Sequence, residues 1–279
     1  MSDLDSLRQK IDAIDTELIR LLNERATVAQ EIGTIKSRDG LPVYSPEREE
    51  RVLRGLVERS QGPLTPEAIR AIYREIMSAS LALEKNIAIA CLGPSGSLSH
   101  QAAKSKFGSS VRYLFFSDVE EVLQEVKSDN ADCGVVPIND PEHGLANHTL
   151  DQLAETDLAI CAEIYLRTDD SEESEPSRFF VMGRNGSAPS GNDKTMLMLR
   201  IEDKPGSLVS ALEPFKTLEI NLSHFASRPA SKGSEDIFFF VEAAGHTKDL
   251  QIADLFRELS KRCRAVKVLG SYPKAGRSV

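Results

Sequence analysis

The chain contains no tryptophan and only four cysteines in 279 residues. The missing indole carries no functional information. The cysteines, Cys91, Cys133, Cys161 and Cys263, are scattered, which excludes the spacing of a zinc site and the density of a disulfide framework. Cys91, Cys133 and Cys161 lie in or beside apolar runs and read as buried thiols of a reducing compartment. No apolar run reaches the roughly 18 residues that a bilayer span needs, and no leader pattern opens the chain. A soluble, cytoplasmic protein without a membrane partner is expected. Positive charge is also short. Lys and Arg number 34 against 43 Asp and Glu, a net charge of −9. This argues against a general nucleic-acid binder, so any anionic ligand must be held by local cations. His100, His143 and His148 sit in no helical metal motif, and no metal or cofactor is expected.

What is present begins at once. Leu4, Leu7, Ile11, Ile14, Leu18, Leu21, Arg25, Val28, Ile32 and Ile35 alternate steps of three and four, the a/d seam of one long helix. One member is an arginine. A guanidinium in a seam costs roughly several kcal/mol unless an anion meets it, so the helix reads as built to hold something negative. Arg8 and Lys36 flank the seam. Lys36 lies about 16 Å of helix rise from Arg25, and Arg8 about 42 Å from Lys36. One small ligand cannot touch both ends of one helix. Two such helices packed antiparallel would bring Arg8 of one subunit to Arg25 and Lys36 of the other. The spacing therefore predicts a homodimer through the N-terminal helix with two shared, cation-lined pockets.

The rest of the chain changes period twice. Residues 1–85 read as three helices, broken by Gly40 and Pro42 and by Gln61-Gly62-Pro63, with Ser45-Pro46 and Thr65-Pro66 as helix starts. Residues 86–183 alternate β-rich runs (87–92, 111–116, 133–138, 158–164) with helical patterns, which predicts a parallel sheet with crossover helices. That unit runs into an acidic loop, 168–176. A Gly/Ser/Pro/Asn-rich linker covers 184–193. Residues 194–279 follow the order βαββαβ, a ferredoxin-like split βαβ.

The stretches LRQKIDAIDTELIRLLNERATVAQEIGTIK (7–36), VYSPEREERVL (43–53) and IYREIMSASLALE (72–84) resemble the all-helical chorismate mutase of the AroQ class. The resemblance places Arg8, Arg25, Lys36, Arg48, Glu49, Ser80 and Glu84 where that family holds its substrate, with Ser45 at a substrate-binding position. Chorismate is a dianion that rearranges within one molecule to prephenate. The reaction needs a held conformer and stabilisation of charge on the ether oxygen. By the resemblance, Arg8 and Arg25 clamp carboxylates, Lys36 donates to the ether oxygen, Glu49 accepts from the ring hydroxyl and Arg48 shapes the site. Glu84 stands where other members carry Gln. A Glu donates there only when protonated, which predicts activity that falls as pH rises.

GPSGSLSHQAA (93–103), GVVPIND (134–140), Thr149-Leu150-Asp151 and Ser177-Arg178-Phe179 resemble the motifs of prephenate dehydratase. That family's domain has two lobes with the active site between them. Here the first lobe passes straight to Ser177, so about half the domain is missing and a single periplasmic-binding-like lobe remains. Ser177 keeps the hydroxyl of the family's TRF threonine. Asn139 replaces an acid, and Ser97 keeps a hydroxyl while Leu98 replaces an aromatic. These residues, with Arg178 and Phe179, read as a vestigial dehydratase site. As a plain structural feature, Ser97 reads as a helix N-cap.

Lys204-Pro205-Gly206-Ser207-Leu208-Val209, Ser227-Arg228-Pro229 and Leu269-Gly270-Ser271-Tyr272-Pro273 resemble the ACT domain, a ferredoxin-like amino-acid sensor. The resemblance implies L-phenylalanine as an effector held by 206–209 and 227–229. Ala226 replaces a family glutamate.

The expected molecule is a multidomain chorismate mutase of phenylalanine biosynthesis. It has an all-α dimer domain (1–85), a single α/β lobe (86–183), a linker (184–193) and an ACT domain (194–279), with chorismate and prephenate as its small molecules. Three alternatives stay open: a working bifunctional mutase–dehydratase, a non-catalytic amino-acid-binding regulator, and a lyase such as isochorismate–pyruvate lyase on the same helical scaffold.

Overall fold

The computed structural model describes residues 3–140, 144–145, 147–167, 175–230 and 235–276. His143 and most of the acidic loop expected at 168–176 lie outside the described residues. The first helix, α1 (Asp3–Asp39), runs past Ile35, the last apolar residue of its seam, and ends at Gly40, whose φ is +65°. It is followed by α2 (Pro46–Arg59) and α3 (Pro66–Glu84). Both begin with proline at the first turn, where its missing N–H costs nothing. Thr65 caps α3 by accepting from the Ala68 amide.

Only the C-terminal part of α1 is covered by this chain, through its packing on α3. Leu7, Ile11, Ile14 and Leu18 are each at least half exposed. The two helices approach closely at Gly33, where a Cβ would lie 2.9 Å from the Cα of Glu84. A glycine is required there, and its small size brings the next turn, with Lys36, against Glu84.

The central unit is β1 (Ala88–Leu92), α4 (Leu98–Phe107), β2 (Arg112–Phe116), α5 (Val119–Lys127), β3 (Cys133–Asp140), β4 (Gly144–Leu145), α6 (Asn147–Glu155), β5 (Ala159–Leu166) and β6 (Ser177–Gly183). Its sheet runs β2-β1-β3-β6-β5, with β4 beside β3. The expectation of a parallel sheet holds for β2, β1 and β3 alone. It fails for the rest. β6 lies between β3 and β5 and is antiparallel to both, which makes the sheet mixed. The cause is the connection: only ten residues, with no crossover helix described, separate β5 from β6, so the chain turns back on itself.

The C-terminal unit is β7 (Asp193–Glu202), α7 (Ser207–Thr217), β8 (Leu222–Pro229), β9 (Asp236–Ala244), α8 (Leu250–Ser260) and β10 (Ala265–Pro273). Its four strands are all antiparallel, in the order β10-β7-β9-β8. One face packs on α7 and α8 through Leu197, Leu199, Phe215 and Leu255. The other face packs on the central sheet, where Met196, Met198, Phe240 and Tyr272 join Ile160, Phe180 and Met182 in one core. The two sheets meet so closely that a Cβ on Gly270 would fall 2.1 Å from the carbonyl oxygen of Ile160. The opposite face of the central sheet is covered by α4 and by Tyr44 and Leu81 of the helical segment. Among the described residues no helix is long and apolar enough to cross a membrane.

Candidate active site

The three helices build a cavity of about 480 Å³. It is lined by Arg25, Lys36, Ser45, Arg48, Glu49, Ser80 and Glu84, with Val28, Ile32, Val52, Met77 and Leu81 as apolar wall. The Lys36 ammonium donates to the Glu84 carboxylate at 2.9 Å and to the Val43 carbonyl at 2.8 Å. Arg25 donates to the Ser80 hydroxyl, which itself donates to the Ile76 carbonyl at 2.9 Å. The seam arginine is thus met by a hydroxyl of its own chain, which engages one of its five N–H donors. Glu49 is held by Lys106 at 3.0 Å, a contact from α4 of the central unit. Arg8 is the candidate left out. It is exposed and, among the described residues, its ion-pair partner is Asp5 at 3.8 Å. Cations on an apolar wall, with two carboxylates and two hydroxyls, suit a small dianion that also carries a hydroxyl.

The candidates in the central unit are not assembled in this way. Ser97 caps α4: its hydroxyl accepts from the His100 amide at 3.3 Å and donates to the Leu92 carbonyl at 2.8 Å. Asn139 sits opposite Arg178 across β3 and β6. Ser177 and Phe179 are buried. Arg178 is bonded to Glu163 of β5 and Glu242 of β9, with the Tyr272 hydroxyl at 3.5 Å. Lys194 of β7 joins the same pair of acids, 3.1 Å from Glu163 and 2.9 Å from Glu242.

Burial opposes the charges of Glu242, Arg178 and Lys194, and their partners outweigh it. Burial alone would raise the Glu242 carboxyl, but Arg178 and Lys194 hold it at about 2. Arg178 loses to burial and gains more from Tyr272, Glu163 and Glu242, so its pKa stands above the ordinary arginine value. His224, beside this cluster, is pushed down by burial and by Arg178. The sequence reading missed Glu163, Lys194 and Glu242. Glu163 was signalled as a lone charge inside the apolar run AICAEIYL and Glu242 as a charge after the apolar run IFFFV, whereas Lys194, beside Asp193 at the start of β7, carried no such signal.

In the C-terminal unit Gly206 caps α7 with φ +86°, a conformation that favours glycine. Gly206 and Ser207 line a cavity of about 400 Å³ with Ser210, Lys261, Arg262 and Arg264. Leu208 is half-buried and Val209 exposed. Ser227, Arg228 and Pro229 do not line that cavity. They lie on β8, the last strand of the sheet, where Arg228 donates to Asp151 of α6 at 2.5 and 3.2 Å. Among the described residues no group of three or more His, Cys, Asp or Glu side chains is placed to hold a metal ion.

Two segments of the chain match known families. Residues 7–85 match the family model Chorismate mutase type II, and residues 89–171 match that of Prephenate dehydratase. A bifunctional chorismate mutase/prephenate dehydratase of Aquifex aeolicus is 35% identical, covering 99% of each chain. One of the same description from Pseudomonas aeruginosa is 31% identical over 98% of each. The Aquifex alignment runs over 358 positions against the 279 residues of this chain, so at least 79 positions (358 less 279) have no counterpart here. Among solved structures, a prephenate dehydratase from Streptococcus mutans superposes with a TM-score of 0.56 and 27% identity, covering 67% of this chain and 97% of that one.

Proposed function

The chain belongs to the bifunctional chorismate mutase/prephenate dehydratase family of aromatic amino-acid biosynthesis, and from that premise we propose that the helical cavity is its working catalytic site. The observation that carries the proposal is convergence: every mutase candidate except Arg8 lines one cavity. Arg25 clamps a substrate carboxylate, oriented by Ser80. Lys36 donates to the ether oxygen as the C–O bond breaks, where charge develops. Glu49, steadied by Lys106, accepts from the ring hydroxyl, and Arg48 and Ser45 close the mouth. Arg8 comes from a second copy of the chain. Its place on the uncovered part of α1, among exposed Leu7, Ile11 and Ile14, supports an antiparallel helical dimer. The test is loss of chorismate absorbance with purified protein. No turnover would end the mutase reading in favour of a silent regulator, and pyruvate release would favour the lyase.

The dehydratase segment is proposed to be a structural bracket with little or no activity of its own. Arg178, the family's TRF arginine, is bound on two sides by Glu163 and Glu242 and buried under the C-terminal sheet. The bifunctional reading is favoured by the description of the relatives. Incubation with prephenate separates the two: steady phenylpyruvate formation establishes the bifunctional enzyme.

The C-terminal unit is proposed to be an ACT domain that senses L-phenylalanine. Its strand order and the left-handed Gly206 before α7 support this. The amides that follow Gly206 can receive a carboxylate at the helix start. Calorimetry with L-phenylalanine tests it, and silence at millimolar ligand leaves dimerisation as the role.

A further inference from the structure

We propose that Lys106, on the last turn of α4, is a positioning residue of the mutase site, and that the central unit thereby supplies part of the mutase machinery. This role rests on the reading of the helical cavity as a mutase site.

Lys106 stands behind the cavity wall. Glu49 lines the cavity from the first turn of α2, whereas Lys106 does not line it. The Lys106 ammonium reaches the Glu49 carboxylate at 3.0 Å, and the two side chains are only 21% and 14% exposed. A pair so little exposed is screened less by salt and water than a surface pair. Two of the cavity's own cations are engaged elsewhere, Lys36 by Glu84 and the Val43 carbonyl, and Arg25 by Ser80. Among the described residues the ion-pair partner of Glu49 is Lys106.

The end of α4 is fixed firmly enough to act as a support. Gly108 terminates the helix with φ +73°, and a Cβ there would lie 2.6 Å from the Cβ of Ser78, so the close passage against α3 requires glycine. The next two amides donate to α3, Ser109 to the Glu75 carboxylate and Ser110 to the Ser78 hydroxyl, each at 3.0 Å. Phe107, next to Lys106, packs on Tyr44 with ring centroids 4.8 Å apart, and Tyr44 belongs to the cavity wall. Two consecutive residues of α4 thus back two members of that wall, Lys106 behind Glu49 and Phe107 behind Tyr44.

Glu49 needs such a support because of what else it could bind. A released Glu49 carboxylate would have Arg25, Lys36 and Arg48 of the same cavity as partners. It would then compete with an anionic substrate for the groups that hold it. Tied to Lys106, it stays at the wall as an acceptor for the ring hydroxyl. That hydroxyl takes no part in the rearrangement, so its contact is present before and during C–O cleavage. Losing the contact therefore shows in KM more than in kcat. A pair that only joined the two units would stabilise the fold and leave the kinetics of the folded protein unchanged.

The experiment measures chorismate turnover and thermal unfolding of the full chain. Lys106→Met is expected to lower kcat/KM about tenfold, with the larger part in KM. Lys106→Arg keeps the charge and a donor and should stay within about threefold of the wild type. Lys104→Met removes an exposed lysine from the same turn and should change neither constant. In a Glu49→Gln background Lys106→Met should bring no further loss, because the carboxylate it positions is gone. Equal kcat/KM in Lys106→Met and the wild type overturns the proposal, whatever the change in stability. A loss that persists in full in the Glu49→Gln background overturns it too, since Lys106 would then act through the fold. So does a loss that Lys106→Arg fails to repair. Should Lys106→Met not fold, Lys106→Gln, which keeps the stem and a donor without the charge, carries the same comparison. A wild type with no turnover ends the mutase reading and this role with it, whereas turnover insensitive to Lys106 ends this role alone.

Discussion

Arg178 on β6 and Glu242 on β9 are bonded across the seam between the central and C-terminal sheets, and both are buried. In sequence they are far apart, and in a family with two dehydratase lobes the arginine belongs to a motif. Here the C-terminal sheet packs on the central unit, and Glu242 and Glu163 occupy the guanidinium. The guanidinium is stabilised by both carboxylates, and the pair ties the two sheets together.

Glu242→Gln removes one carboxylate from two buried cations. Breaking a buried pair in this way costs on the order of 3–5 kcal/mol. Denaturant unfolding of the variant should show a loss of that size, with retained secondary structure. Adding Arg178→Met should recover part of it, because the uncompensated guanidinium is then gone. A Glu242→Gln protein as stable as the wild type would show that the cluster contributes nothing to the fold.

The same cluster sets an acid limit. Glu242 titrates at about 2 in the folded chain, below the roughly 4.3 of an unfolded glutamate. Between these values the unfolded state binds more protons, so stability falls as pH falls. The contribution is complete above about pH 5 and amounts to about 3 kcal/mol. His224 adds a smaller loss in the same direction on acidification, since its folded value is also depressed. Thermal unfolding from pH 6 down to pH 3 should show a falling midpoint, and Glu242→Gln should flatten the lower part of that curve.

The helices of the mutase segment were legible because their apolar residues repeat with the helical period and their starts carry Ser-Pro and Thr-Pro. The βαββαβ order of the C-terminal unit was legible for the same kind of reason. The antiparallel place of β6 was not, since after Ser177 and Arg178 the run FFVMG is apolar and buried on both faces, and such a run carries no sign of direction. Lys106 on Glu49 and Lys194 on Glu163 were illegible because they join residues far apart in sequence on different units. Gly33 was visible only as a gap in the polar face of α1; its role depends on the Cα of Glu84 behind it.

Lys36 and Glu84 face each other at 2.9 Å with little exposure. Lys36→Ala removes the proposed donor to the ether oxygen, and chorismate turnover should fall by about 10²–10³. Glu84→Gln keeps the shape and replaces the acceptor of the Lys36 ammonium with an amide that can itself donate, so the variant is expected to turn over chorismate at least as fast as the wild type. A variant slowed by about tenfold or more would show that the site needs the Glu84 carboxylate as the partner of Lys36.

Arg8 offers the sharpest test of the shared site. If Arg8 serves the neighbouring chain, Arg8→Ala and Arg25→Ala each disable both sites of a homodimer. A heterodimer of the two variants is different. One of its sites lacks both arginines, and the other has Arg8 from the Arg25→Ala chain and Arg25 from the Arg8→Ala chain. Random co-assembly makes half the dimers mixed, each with one intact site, so coexpressed variants should regain about a quarter of wild-type turnover. Each variant alone should stay near background. A coexpressed mixture no better than its components would mean that Arg8 acts within its own chain or not at all, and the apolar stripe of α1 would then need another occupant.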